Sequence, residues 1–379
     1  MLDKESLEYS ELKNKRTSKK TISILGEEWK VSSGFNLYVD ISSACNASCS
    51  FCIAPTIERK NGPGFFDGAK FALDLTESIE GTVQIVGGEP MISKKLPKLL
   101  QKISEHNYRR VVLNTNGSFI TDERISQMNS ANVTNVNLSR HHYDEHSNQE
   151  IMRLQPKLSN SELALSIENI TNSGIDMRMQ CNLIKGYIDS VPEILNYLDW
   201  CSSIGIKEIS FSQIFPLNLF DYQVPIEKGY TEKVQVDLQK LVSKIDTSKE
   251  FSSAPGYDRL GEMMSPWGQS VWGSGAKRRF WYGPSETYFS LKTLSGYDIT
   301  GIPNETTYDK QEDWELKEGN LAFAVLHPNG QVTASWDKRE RLLFNPITLG
   351  RQTNVLPLSF GRTKNKGCEK SLDLELVTI

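Results

Sequence analysis

Between residues 35 and 212 six short apolar runs alternate with stretches patterned for amphipathic helices, and this alternation narrows the fold more than any other feature of the chain. The runs are 35–41, 82–86, 110–115, 133–139, 177–183 and 208–212. Between them lie segments such as LPKLLQKISEH, with Leu96, Leu99, Leu100 and Ile103 at helical spacing, and VPEILNYLDWCSSIG, whose closing glycine suits a helix C-terminus. Repeated strand–helix units build a parallel sheet, and right-handed crossovers curl it. The expected class is therefore α/β, a partial (β/α)6 TIM-like barrel over residues 35–248. An N-terminal leader with a hairpin-like stretch, TISILGEEWKV, is expected over 1–34, and a small α+β C-terminal module over 249–379. The module contains a hairpin signal in LAFAVLHPNGQVTAS and a segment dense in Gly, Trp and Tyr that includes Trp267, Trp272, Trp281 and Tyr282 beside Lys277, Arg278 and Arg279.

Several runs carry polar residues at every second position. Asn135, Asn137 and Ser139 alternate with Val136 and Leu138, and Arg178, Gln180 and Asn182 alternate with Met179 and Cys181. Strands buried on both faces read as continuous apolar runs. If helices cover the apolar face, the polar face lines the barrel interior, where each unpaired polar group costs about 1–3 kcal/mol. A polar lumen implies either a self-satisfied hydrogen-bond network or a polar ligand.

The chain has 379 residues with 43 Lys and Arg against 47 Asp and Glu, a net charge of −4, so no overall positive field draws it to nucleic acid. The basic patch Lys13, Lys15, Arg16, Lys19 and Lys20 reads as a solvated leader. There is no apolar run of membrane-spanning length, and the opening MLDKESLEYSELKNKRTSKK lacks a signal peptide's apolar centre. A cytoplasmic protein with no membrane partner is expected.

Six cysteines are too few for a disulfide scaffold, yet Cys45, Cys49 and Cys52 fall within DISSACNASCSFCIAP, in the loop after the first run. Thiolates at this spacing suit metal ligation. Structural zinc requires four closed ligands, and no fourth cysteine or histidine lies nearby; an iron–sulfur cubane held by three thiolates keeps one iron open for chemistry.

The segment CNASCSFC, with the aromatic Phe51 before its last cysteine, resembles the CxxxCxxC signature of the radical S-adenosylmethionine (radical SAM) superfamily. Gly87-Gly88-Glu89-Pro90, after the second run, resembles the GGEP motif with which that superfamily holds the methionine amino group of its cofactor. The resemblance covers about residues 35–245. It implies one 4Fe-4S cluster on Cys45, Cys49 and Cys52, bound S-adenosyl-L-methionine, and reductive cleavage to a 5′-deoxyadenosyl radical. Cofactor contacts are expected from Phe51, Gly87, Gly88, Glu89, Pro90, Asn116, Ser139 and Asn182. An external electron donor such as flavodoxin or ferredoxin is also implied.

For the substrate, Asn137, Arg140, His141, Arg178 and Gln180 are the candidates, Arg178 as a bidentate anchor for a carboxylate or phosphate. The stretches HPNGQVTASW and ITLGRQTNVLPLSF resemble the SPASM/Twitch module of some superfamily members, but Cys368 is the one cysteine there, so a cysteine-free remnant is expected. Hydrogen abstraction from a polar small molecule in a biosynthetic pathway is the leading expectation. Modification of a ribosomally made peptide is the alternative, weakened because 34 residues before the first run are too few for a fused peptide-recognition domain. A non-enzymatic iron–sulfur protein is the third, and it would have no need of the glycine motif.

Overall fold

Alternation decides the layering. On the strands, Leu37, Val39, Val83, Ile85, Val111, Leu113, Val136 and Leu138 are all fully buried, and the helices pack against this face. The polar positions between them face the concave side. The computed structural model describes residues 20–52, 61–214, 229–253, 256–257, 263–264, 277–292, 319–334, 336 and 341–346.

The N-terminal hairpin comprises β1 (Lys20–Ile24) and β2 (Glu27–Asp40), paired antiparallel from Lys20↔Val31 to Ile24↔Glu27. Leu25 and Gly26 turn it with φ of 54° and 86°. Then follow α1 (Phe65–Ser78), β3 (Thr82–Val86), α2 (Leu96–Ser104), β4 (Val111–Thr115), α3 (Asp122–Ser130), β5 (Asn135–Ser139), α4 (Glu145–Met152), α5 (Asn160–Asn172), β6 (Asp176–Leu183), α6 (Val191–Ser203) and β7 (Glu208–Gln213). Two further helices, α7 (Tyr230–Lys233) and α8 (Leu238–Thr247), precede the C-terminal strands β8 (Phe251–Ser253), β9 (Gly256–Tyr257), β10 (Met263–Met264), β11 (Lys277–Tyr282), β12 (Thr287–Lys292), β13 (Asn320–Leu326), β14 (Val332–Thr333) and β15 (Leu342–Phe344).

All six expected strands are present, and the apolar stripe of α2 buries Leu96, Leu99, Leu100 and Ile103 as its spacing requires. Gly205, just past α6, takes φ 84° and lets Ile206 N–H reach the Cys201 carbonyl at 2.9 Å, which closes the helix.

β2 through β7 run parallel in chain order, but the sheet does not stop at residue 248. β13 adds parallel to β2 and β12 adds parallel to β7, so the C-terminal part supplies the neighbours on both edges of the six-stranded array. The result is an open partial barrel in the order β15-β14-β13-β2-β3-β4-β5-β6-β7-β12-β11-β8, with β9 and β10 in a separate ladder. Without these additions β2 and β7 would present unpaired backbone edges. Trp281 and Tyr282 belong to β11; Trp267, Trp272, Cys368 and the stretch ITLGRQTNVLPLSF lie outside the described residues.

The expected hairpin at Pro328-Asn329-Gly330 joins β13 to β14 and sits on the start of α1. There Gly62 N–H donates to the Pro328 carbonyl (3.3 Å), and a Cβ on Gly68 would lie 2.0 Å from the Gly330 carbonyl oxygen. Phe71 of α1 stacks on Phe344 of β15 with ring centroids 4.8 Å apart.

Candidate functional site

The cysteine loop begins where β2 ends and is held on three sides. Below it, Gly88 N–H donates to the Ser42 carbonyl (2.7 Å) and Glu89 N–H to the Ala44 carbonyl (2.8 Å). Beside it, Ser48 N–H donates to the Met152 carbonyl (2.9 Å) and Gln155 N–H to the Asn46 carbonyl (2.8 Å). From β4, Asn116 Nδ2 donates to Asn46 Oδ1 (2.8 Å), Asn46 Nδ2 to Ser118 Oγ (3.0 Å), and Ser118 N–H back to Asn116 Oδ1 (2.9 Å). Asn46, inside the cysteine motif, thus closes a ring with the NTNGS turn.

The glycine motif works by proximity of chain to chain. A Cβ on Gly88 would lie 2.1 Å from the Ala44 carbonyl oxygen, and Gly87 holds φ 142° against Ser42. Glu89 is 1% exposed, and its carboxylate faces the protein: Oε1 accepts from Thr115 Oγ1 (2.6 Å) and Met91 N–H (3.0 Å), Oε2 from Asn116 N–H (2.7 Å). Burial pushes its carboxyl up to about 7 against the opposing pull of these three donors. Pro90 is buried and opens the short 3-10 turn that Glu89 caps. Glu89 and Asn116, both expected to touch the cofactor, are here linked to each other and brace the cysteine loop.

Cys45 is exposed, and Cys49 and Cys52 are half-buried. Burial, then the neighbouring Cys52 and Cys45, pushes the Cys49 thiol up to about 12. Among the described residues no three metal-binding side chains converge on a single ion's position. Three thiols set apart along one loop fit a multinuclear cluster, in which each iron takes a separate thiolate, better than a lone zinc. Phe51 packs edge-on against His141, ring centroids 4.8 Å apart.

The remaining candidates separate by face and height. His141 is buried; its Nδ1 accepts from Asn182 N–H (3.0 Å), and its own N–H donates to Asn148 Oδ1 (2.9 Å). Burial, with Arg140 beside it, lowers its pKa to about 3 and keeps it neutral. Arg140 continues β5 on the helix-facing side, 1% exposed, with its guanidinium on Asn160 Oδ1 and near the Leu158 carbonyl, so the expectation of a substrate contact there is corrected. Arg178 lies on the concave face, in register with Asn137. It stands near the amino end of β6, away from the cysteine loop, and is ion-paired with Glu208 of β7 in the adjacent register position. Asn137 stands beside Arg178 at the same register, and higher on the concave face are Ser139, Gln180 and Asn182. Ser139, Gln180 and Asn182 are half-buried, and their side chains form no hydrogen bond among the described residues.

Asn46, Thr115, Ser118 and Glu208 do structural work that sequence reasoning did not assign. The signal for Asn46 was its place within the cysteine motif; Glu208, at the start of its run, offered none.

Comparison with known proteins agrees with this geometry. Residues 39–198 match the Radical SAM superfamily. The chain is 24% identical over 307 residues to a probable GTP 3′,8-cyclase of Sulfolobus acidocaldarius, covering 78% of this chain and 93% of that protein. It is 26% identical over 200 residues to the GTP 3′,8-cyclase of Aquifex aeolicus, covering 49% of this chain and 59% of that protein. In fold it resembles Streptococcus suis SuiB bound to its precursor peptide SuiA, with TM-score 0.52, 17% identity, and coverage of 80% of this chain and 59% of that one. No helix among the described residues is long and apolar enough to cross a membrane. The partial barrel, the three thiols on the loop after its first strand, the glycine motif pressed beneath them and the match of residues 39–198 together support membership of the radical SAM superfamily of enzymes, and with it a 4Fe-4S cluster and S-adenosylmethionine as cofactors.

Proposed function

We propose that the chain abstracts a hydrogen atom from a polar small molecule held in the barrel lumen. The observation that carries this reading is the polar concave face, where the half-buried Gln180 amide forms no hydrogen bond among the described residues beyond the Ser139 and Asn182 positions that the cofactor would take. When bound, the cluster supplies the electron that cleaves S-adenosylmethionine to a 5′-deoxyadenosyl radical. Cys45, Cys49 and Cys52 would hold the cluster, with Glu89, Asn46 and Asn116 keeping their loop in place. Ser139 and Asn182 offer contacts for the cofactor, and neutral His141 supports the ring of Phe51. The GTP 3′,8-cyclases to which the chain is similar take a small molecule, by their name, and this favours a metabolite over a peptide. The electron would come from an external donor of the flavodoxin or ferredoxin kind.

The test is anaerobic reconstitution with iron and sulfide, reduction, addition of S-adenosylmethionine, and measurement of iron and 5′-deoxyadenosine. About four irons per chain and 5′-deoxyadenosine production are expected, with both reduced in Cys49→Ala. A well-formed cluster without cleavage would overturn the reading.

A further inference from the structure

The concave face, polar on β5 and β6, has an apolar corner where β2 meets the C-terminal strand β13. Tyr38 of β2 alternates with the buried Leu37 and Val39 and so faces the lumen. On β13, Ala324 and Leu326 join the main core, which leaves Phe323 and Val325 on the lumen side, in register with Asn36 and Tyr38. The Tyr38 ring centroid lies 5.9 Å from that of Phe323 and 5.4 Å from that of Trp336, and all three rings are half-buried. They therefore keep apolar surface that a ligand can cover.

The polar groups around this corner are engaged with one another. Gln84, opposite Tyr38 in register, donates from Nε2 to Asn36 Oδ1 (2.8 Å). Asn137 donates from Nδ2 to Asn114 Oδ1 (3.0 Å), and Asn114 from Nδ2 to the Ile85 carbonyl (3.2 Å). Arg178 is ion-paired with Glu208. Higher on β6, the half-buried Gln180 amide forms no hydrogen bond among the described residues.

We infer that the lumen-bound small molecule is amphiphilic, with an uncharged hydrocarbon ring laid on the Tyr38–Phe323–Trp336 corner and a neutral polar group turned to Gln180. A ring with nitrogen and oxygen along its edge, or an anionic group, would give up water at this corner without gaining partners, because the amides there bond to one another and Arg178 is neutralised. A hydrocarbon ring gives up no such hydrogen bonds and covers aromatic surface. Phe323 and Trp336 both come from the C-terminal part of the chain, so that part selects the substrate. The inference rests on the proposed lumen-bound small molecule and adds the chemistry of its buried end.

The test uses the anaerobically reconstituted full chain saturated with S-adenosylhomocysteine, so that the cofactor's own position is filled. Three neutral probes, 3-phenylpropanamide, propanamide and guanosine, are then titrated by ligand-observed NMR. The phenyl probe is expected to bind about tenfold more tightly than either of the others. Trp336→Ala and Gln180→Ala should each weaken it severalfold at unchanged iron content and circular dichroism, with Phe323→Leu, which keeps an apolar side chain and removes the ring, read in place of Trp336→Ala if that variant does not fold. Failure of the phenyl probe to bind, equal or tighter binding of propanamide or guanosine, or an affinity unmoved in the folded variants would overturn the inference. Formation of 5′-deoxyadenosine by the wild type is measured separately. Cleavage with no binding of the phenyl probe sinks this inference alone, and binding with no cleavage sinks the enzymatic reading alone.

Discussion

At the residue scale, Glu89 shows how one side chain couples two motifs. Its three donors come from the turn that follows it and from the end of β4, so the carboxylate joins the glycine motif to the NTNG turn, and Asn116 passes that link to Asn46 in the cysteine loop. Near pH 5 the folded side chain is the neutral acid, whose hydroxyl oxygen can still accept a hydrogen bond, whereas an amide N–H₂ accepts none and would leave a backbone N–H, Met91 or Asn116, unpaired. Glu89→Gln is expected to cost about 1–3 kcal/mol near pH 5, read from denaturant midpoints. The sign of the pH dependence follows from linkage. The folded carboxyl titrates near 7 and the unfolded one near 4.5, so the folded state binds the extra proton between these values. Its contribution is therefore fullest below pH 4.5 and is lost as pH rises through 7. The stability gap between wild type and Glu89→Gln should narrow from pH 5 to pH 8, and a constant gap would show that burial does not raise this carboxyl.

At the element scale, glycines set how closely segments approach. Gly88→Ala would place a methyl 2.1 Å from the Ala44 carbonyl, one residue before the first thiol, and backbone cannot yield as a side chain end can. The cysteine loop should lift from the glycine motif, lowering iron uptake on reconstitution severalfold, whereas Gly186→Ala, where nothing lies within 4 Å but φ is 90°, should cost only backbone strain of about 1 kcal/mol and leave iron content alone. Equal iron loss in both would remove the steric explanation. The helices were legible because their stripes are consistent: Leu96, Leu99, Leu100 and Ile103 all bury, and Ser159 with Glu162 forms a complete capping box at the start of α5. The alternation of β5 and β6 was equally legible, since parity alone separates Asn137 from Leu138. The fate of Arg178 was not, because its neutraliser Glu208 lies thirty residues away on another strand and is brought alongside only by register.

At the scale of the whole molecule, β12 and β13 make the C-terminal part continuous with the barrel through parallel pairing at both edges. Backbone amides of Leu321 and Ala324–Leu326, all buried, should therefore exchange with solvent at the same opening free energy as those of β2, in native-state hydrogen exchange followed residue by residue. Exchange of β13 at much lower free energy would show a separately unfolding module. What the sequence determined by itself was everything set by local period and short spacing: the six strands, which face of each is apolar, the helices between them, and the three thiols with the glycine motif one strand later. Tertiary structure alone decided which polar groups find partners. Glu89 and Asn116 are satisfied by the chain, Arg178 by Glu208 and Arg140 by Asn160, while Asn137 Oδ1 is left open, because hydrogen-bond and charge pairing depend on strand register and loop contact between residues far apart in sequence.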